Sequence, residues 1–189
     1  MSSECIGRRV SRRAGGVRGL SARLGMVTTG VGLCLLVALP IAEVMAKTPG
    51  AQYCFRGICH RVKTIAETRA RIGKTETVQA SYYDDAARDR FNPSNLTSSG
   101  ELFRASLADN AASPIYPDGT KLLVWHPATK QAAVVRINNA GPYFGRRLID
   151  LSRAAAEKLG FVRRGVATVQ VRVIEAPTPA DQESEKWWS

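Results

Sequence analysis

At 189 residues with 44% apolar side chains, the chain has room for one packed domain with a leader and short tails, which excludes wholesale disorder. Its formal charge of +11 comes from 27 Lys and Arg against 16 Asp and Glu. Residues 47–189 hold 21 of those bases and 14 of the acids, without the basic-plus-aromatic clustering of a nucleic-acid face, so nucleic acid is not an expected partner.

The front of the chain decides the compartment. Arg8, Arg9, Arg12, Arg13, Arg18 and Arg23 precede an apolar run, Leu24 to Ala46, broken by Pro40 and Glu43. Basic region, short apolar stretch and small-residue exit at Val44 and Ala46 make residues 1–46 a secretory signal, with Lys47 as the first mature residue. A membrane anchor is the rival, but the uninterrupted run falls short of the ~20 residues that cross hydrocarbon. Membrane contact is therefore expected only through an uncleaved signal. Arg12-Arg13 hints at twin-arginine export, but Gly15 and Gly16 stand where bulky apolar residues are wanted. Leu33 ahead of Cys34 is too large for a lipoprotein-processing site, so lipidation is not expected. The protein is read as exported to the periplasm.

Removing the leader takes Cys5 and Cys34 and leaves Cys54 and Cys59, flanking "FRGI". If Arg56-Gly57 is a two-residue turn, Phe55 faces Ile58 and Cys54 faces Cys59, within bridging distance. An oxidising compartment favours a disulfide. Metal binding with His60 is the alternative, but only three local ligands exist. With no complete metal set and no nucleotide loop, no cofactor is expected.

Residues 47–77 read as an N-terminal extension holding this hairpin, followed by "VKTIAETRARIG", ambiguous between a helix and an irregular arm. A barrel-like domain spans 78–176. "TVQASYY" is a strand, and the Asp-, Asn-, Pro- and Ser-rich stretch after it a long loop. "TKLLVWH" and "KQAAVVRIN" are strands joined near Pro127. "NNAGPYFGRR" is a turn cluster. Ser152 caps a short helix that Gly160 stops. Val169, Val171 and Val173 alternate with Gln170 and Arg172 in a last half-buried strand. Residues 177–189, ending near Trp187-Trp188, read as a mobile tail. Many short strands with one short helix point to a small closed β structure.

Three segments resemble the rare lipoprotein A (RlpA) family in order and spacing: "ASYYDD", "TSSGELF" from Thr97, and the long block from Asp118 to Phe161 with "VRINNAGP" and "LIDLS". The resemblance implies a mainly β fold, a six-stranded double-psi β-barrel shared in outline with expansins and MltA-type enzymes. It implies an endolytic peptidoglycan lytic transglycosylase, a lyase of the cell wall. Its partners would be glycan strands, with cell-division or envelope proteins beside them. Such enzymes cleave without water. A carboxylic acid protonates the leaving oxygen, then as carboxylate accepts the proton of the sugar's 6-hydroxyl, giving a 1,6-anhydro end.

By that resemblance Glu101 is the retained catalytic carboxylate. The family's Asp position holds Asn139, Ala140 stands for its Arg, and the His position falls on Ser113. A non-catalytic glycan-binding or divisome-associated module is the alternative, since an amide cannot release the required proton. The expected substrate-binding set is Tyr82, Ser99, Ser113, Arg136, Asn138 and Asn139. Asp150, Gly141 and Pro142 are expected to be structural, with Asp150 accepting hydrogen bonds from backbone or Ser152 near the helix start. Phe144 is expected to pack.

Overall fold

The computed structural model describes residues 47–178 and residue 181. Residues 1–46, the expected secretory leader with Cys5 and Cys34, and the Trp187-Trp188 tail lie outside the described residues. A two-stranded hairpin comes first, β1 (Gln52–Phe55) and β2 (Ile58–Arg61). Arg56 and Gly57 both take positive φ, 48° and 81°, as a tight primed turn requires of its two central residues. That turn sets Cys54 opposite Cys59 and Phe55 opposite Ile58, and the two cysteines are bridged.

The ambiguous stretch resolves as a short helix, α1 (Ile65–Arg69). Thr64 and Glu67 close a reciprocal capping box there, which satisfies two end donors at once. The Thr64 backbone donor and the Arg61 guanidinium hold the Glu67 carboxyl down at about 2.

Six strands then close into a ring: β3 (Thr75–Tyr83), β4 (Asn110–Ala112), β5 (Lys121–His126), β6 (Gln131–Asn139), β7 (Arg147–Ser152) and β8 (Val166–Glu175). Their spatial order is β3-β7-β4-β6-β5-β8, closing back on β3. β3 with β7 and β4 with β6 run parallel, and the other pairs antiparallel. This is the double-psi barrel expected from the sequence. β3 starts at Thr75, ahead of the expected segment "TVQASYY" and of the expected domain start at Val78, because Thr75 to Val78 pair with Arg172 to Val169 of β8.

Alternation fills the interior. Leu122 and Val124 of β5, Val135 and Ile137 of β6, Ile149 and Leu151 of β7, and Val169, Val171 and Val173 of β8 are all buried. Each such side chain is worth about 1.5–3 kcal/mol of transfer free energy. Helix α2 (Arg153–Lys158) seals one side with Ala155, Ala156 and the following Leu159 and Phe161. Ser152 caps it by accepting from the Ala155 amide at 3.2 Å. Gly160 ends it at φ +74°, a conformation that costs other residues a Cβ clash.

Among the described residues one ammonium lies inside the molecule. Lys47 is fully buried, and its ammonium donates to the carbonyls of Ser113, Tyr116 and Asn139 at 2.9–3.0 Å. It also pairs with Asp118 at 2.8 Å. The arm ahead of the hairpin is thereby tied to the β4–β5 connection and to the end of β6.

Candidate functional site

Two cavities open around the end of β6, and one strand residue decides which is which. Successive side chains on a strand point to opposite faces, so Asn138 and Asn139 serve different sides. Asn139 lines a cleft of about 720 Å³. Asn138 is buried and donates to Glu101 at 3.1 Å and to Asn110 at 3.0 Å. Glu101, with Arg136, lines the second cavity of about 500 Å³.

The Thr97–Glu101 turn sits between the two. Thr97 Oγ1 donates to the Glu101 carbonyl, and the Ser98 amide donates to Asn139 Oδ1 at 3.0 Å. Glu101 accepts from both Arg136 and Asn138. It is a carboxylate engaged by a guanidinium, facing away from the cleft that Asn139 lines.

Other expected site residues separate in the same way. Tyr82 lines the larger cleft, and Arg136 belongs to the smaller cavity. Ser99 lines neither; its hydroxyl meets Thr97 Oγ1 at 3.1 Å. Ser113 is fully buried and donates to the Leu148 carbonyl, so its hydroxyl serves the frame. Gly141 and Pro142 form the buried turn after β6, with Pro142 on the cleft wall.

Of the two carboxyls that line the larger cleft, Asp89 accepts from the Asp84 and Phe91 amides, and Asp150 stands on β7. In register it lies beside Ser81 of β3 and Ala112 of β4. Its oxygen accepts from the Ser81 hydroxyl, not from Ser152, whose hydroxyl turns to the Leu107 carbonyl at 2.6 Å. Arg147 donates to Ser81 Oγ at 2.9 Å, so its positive charge reaches Asp150 through the hydroxyl. Burial pushes the Asp150 carboxyl above the usual carboxylate range, with Ser81 and Arg147 pulling it partly back. The Tyr83 hydroxyl lies beside the Asn139 amide, and burial raises it too.

The remaining walls come from residues that the sequence reading did not assign to the site. Tyr53, Cys54 and Phe55 of the hairpin line the cleft. Tyr53 and Phe55 rest on Tyr143 with ring centroids 6.4 and 5.1 Å apart. Phe91, Pro93 and Leu96 of the long loop, and Phe144, line it as well. Phe144 is 50% exposed rather than packed. Alternation in "LIDLS" was a usable signal for Asp150, since buried Ile149 and Leu151 turn it away from the barrel core. Nothing local announced the hairpin's docking. Among the described residues no group of three or more His, Cys, Asp or Glu side chains is placed to hold a metal.

Comparison with known proteins places this geometry in context. A family model described as "Lytic transglycolase" matches residues 75–171. The chain is 33% identical to an endolytic peptidoglycan transglycosylase RlpA of Pasteurella multocida, over 68% of this chain and 40% of the relative. It is 37% identical to the RlpA transglycosylase of Neisseria meningitidis, over 53% of this chain and 39% of the relative. The chain thus spans about two-fifths of these relatives. Among solved structures, a Streptomyces papain inhibitor aligns at 25% identity with a TM-score of 0.44, covering 55% of this chain and 97% of that one.

Proposed function

This chain belongs to the RlpA-like lytic transglycosylase family, and on that premise we propose that it engages peptidoglycan glycan strands in the cleft over Asn139 and Asp150 and cleaves them there. The single observation that supports this reading is the cleft itself, where a half-buried carboxyl with a raised pKa shares a 720 Å³ space with amide, hydroxyl and aromatic groups. Such a mixture fits a sugar, whose hydroxyls and acetamido groups need donors and acceptors.

In this reading Asp150 does the work that the missing family Asp cannot. Protonated, it gives its proton to the oxygen linking N-acetylmuramic acid to N-acetylglucosamine as that bond to C1 breaks. As carboxylate it then takes the proton of the 6-hydroxyl while O6 closes on C1, leaving a 1,6-anhydro end and a restored acid. A raised pKa suits a group that must both release and recover one proton near neutrality. Asn139 serves as a recognition and turn residue, since its Oδ1 already accepts from Ser98 and Ala140. Glu101 orders β6 through Arg136 and Asn138. The substrate's place in the cell wall makes the periplasm the working compartment.

A second reading, a non-catalytic glycan-binding module, is favoured by the amide at 139 and the buried hydroxyl at 113. One experiment separates them. Stem-free glycan strands are incubated with the full chain and its products searched by mass spectrometry for 1,6-anhydromuramic ends. New ends that fall by about 10²–10⁴ in Asp150→Asn and persist in Glu101→Gln bear out the proposal. The opposite pattern returns the acid role to Glu101. Strands that co-sediment without new ends leave the binding module.

A further inference from the structure

The cleft's outer end carries two large apolar side chains that no packing explains. Phe91 is 59% exposed and Phe144 50% exposed, yet both line the cleft and meet edge to face at 6.2 Å. Scattered exposed apolar residues are ordinary on a soluble protein. A contacting pair on the wall of a cleft that also holds Asn139, Arg147 and Asp150 is a different pattern.

Both residues are also anchored through their backbones without their rings being buried. The Phe91 amide donates to Asp89 Oδ1 at 2.9 Å, and the Arg90 guanidinium lies 4.7 Å from the Phe91 ring centre. The Phe144 carbonyl accepts from Arg147 Nε at 3.0 Å. Arg147 therefore holds Phe144 with one edge and Ser81, the neighbour of Asp150, with the other.

We propose that Phe91 and Phe144 form a stacking platform for one pyranose ring, a binding subsite next to the one over Asn139 and Asp150. The proposal rests on the glycan reading of the cleft. A pyranose presents an apolar C–H face to an aromatic ring and a polar edge to hydrogen-bonding groups. A wholly apolar occupant would meet the two rings but bury Asn139 and Asp150 against groups that cannot answer them, at a cost. The occupant that satisfies both ends of the cleft is a sugar chain at least two units long.

The test uses the full chain and a stem-free tetrasaccharide of alternating N-acetylglucosamine and N-acetylmuramic acid, titrated calorimetrically. Phe91→Ala and Phe144→Ala are each expected to weaken binding by about 3–10-fold, and together by about 10–100-fold. Thermal midpoints should stay at the wild-type value, since neither ring is packed. Phe144→Trp, which keeps an aromatic face, should hold wild-type affinity. Unchanged affinity in the double variant, with the wild type binding, overturns the platform and leaves the glycan reading intact. A wild type that does not bind the tetrasaccharide overturns both. A dimer in analytical ultracentrifugation that dissolves in the double variant would make the pair a self-contact and overturn the platform. A fall in thermal midpoint that accounts for the affinity loss would also overturn it.

Discussion

Asp118 is fully withdrawn from solvent and Asp150 only partly so, and the two are answered in opposite ways. Asp118 is 1% exposed and meets an ammonium directly, Lys47 at 2.8 Å, with the Ser98 hydroxyl at 3.2 Å. Asp150 lines an open cleft and meets a neutral hydroxyl, with the nearest positive charge one residue behind it. Burial raises both pKa values. What differs is who else can reach the group. A carboxyl locked to a full charge in a closed interior ties segments together, whereas one held by a hydroxyl beside open space can exchange a proton with a ligand.

The sharpest way to break that contrast is to remove the ammonium. Lys47→Met leaves Asp118 without its charged partner, and breaking a buried pair from one side costs about 3–5 kcal/mol. Urea unfolding should show that loss, while Asp118→Asn in the same background should recover much of it. If Lys47→Met unfolds at the wild-type midpoint, the interior pair is not the tie described above.

Asp150 should behave differently. Its folded pKa lies above the unfolded value of 3.8, so the folded state holds a proton that the unfolded state has released. Stability therefore declines as pH rises through the window between those two values. Asp150→Asn should flatten that decline in unfolding midpoints measured from pH 3 to 7. In turnover, the limb set by the acid form should lie higher in pH than for an ordinary carboxylic acid. A limb at the ordinary value would reassign the proton donor.

Asn139→Asp tests the cleft from its other side. The new carboxylate keeps acceptors for the Ser98 and Ala140 amides and adds a further acid-base group to the cleft beside Asp150 and Asp89. Formation of anhydro ends should rise, by up to about tenfold if proton transfer limits the rate. No gain would show that residue 139 is recognition and turn chemistry alone. The smallest effect is expected at Glu101→Gln. Its half-exposed pair with Arg136 is worth about 0–1 kcal/mol, and turnover should stay within about threefold. A large loss there would merge the two cavities into one functional unit.

Much of the barrel was legible because its strands alternate. β5, β6 and β8 follow the expected segments, the hairpin's paired positions place its cysteines opposite each other, and Ser152 and Gly160 bracket α2. β4 was not visible, since Asn-Ala-Ala carries neither alternation nor β-branched residues and is a strand only because β6 and β7 flank it. β7 lay hidden behind a turn cluster, which left Asp150 assigned to a helix start rather than to a cleft. Lys47 was expected only as the first mature residue. Its burial depends on carbonyls of residues 113, 116 and 139, which no local pattern brings together. Residues of the site were partly found, but not their division. Asn138 and Asn139 read as one turn, and alternation sends them to different cavities.

The ring of six strands has a colloidal consequence. Every barrel strand has a neighbour on each side, so apart from residues 131–135 of β6, beyond the reach of the short β4, the barrel offers little backbone margin for another chain to zip onto. Among the described residues, the other such margins belong to β1 and β2, whose ladder is separate from the ring. Self-association through added strands should therefore begin at one of these two places, and at the hairpin the Cys54–Cys59 crosslink, by keeping its two arms paired with each other, is the safeguard against it.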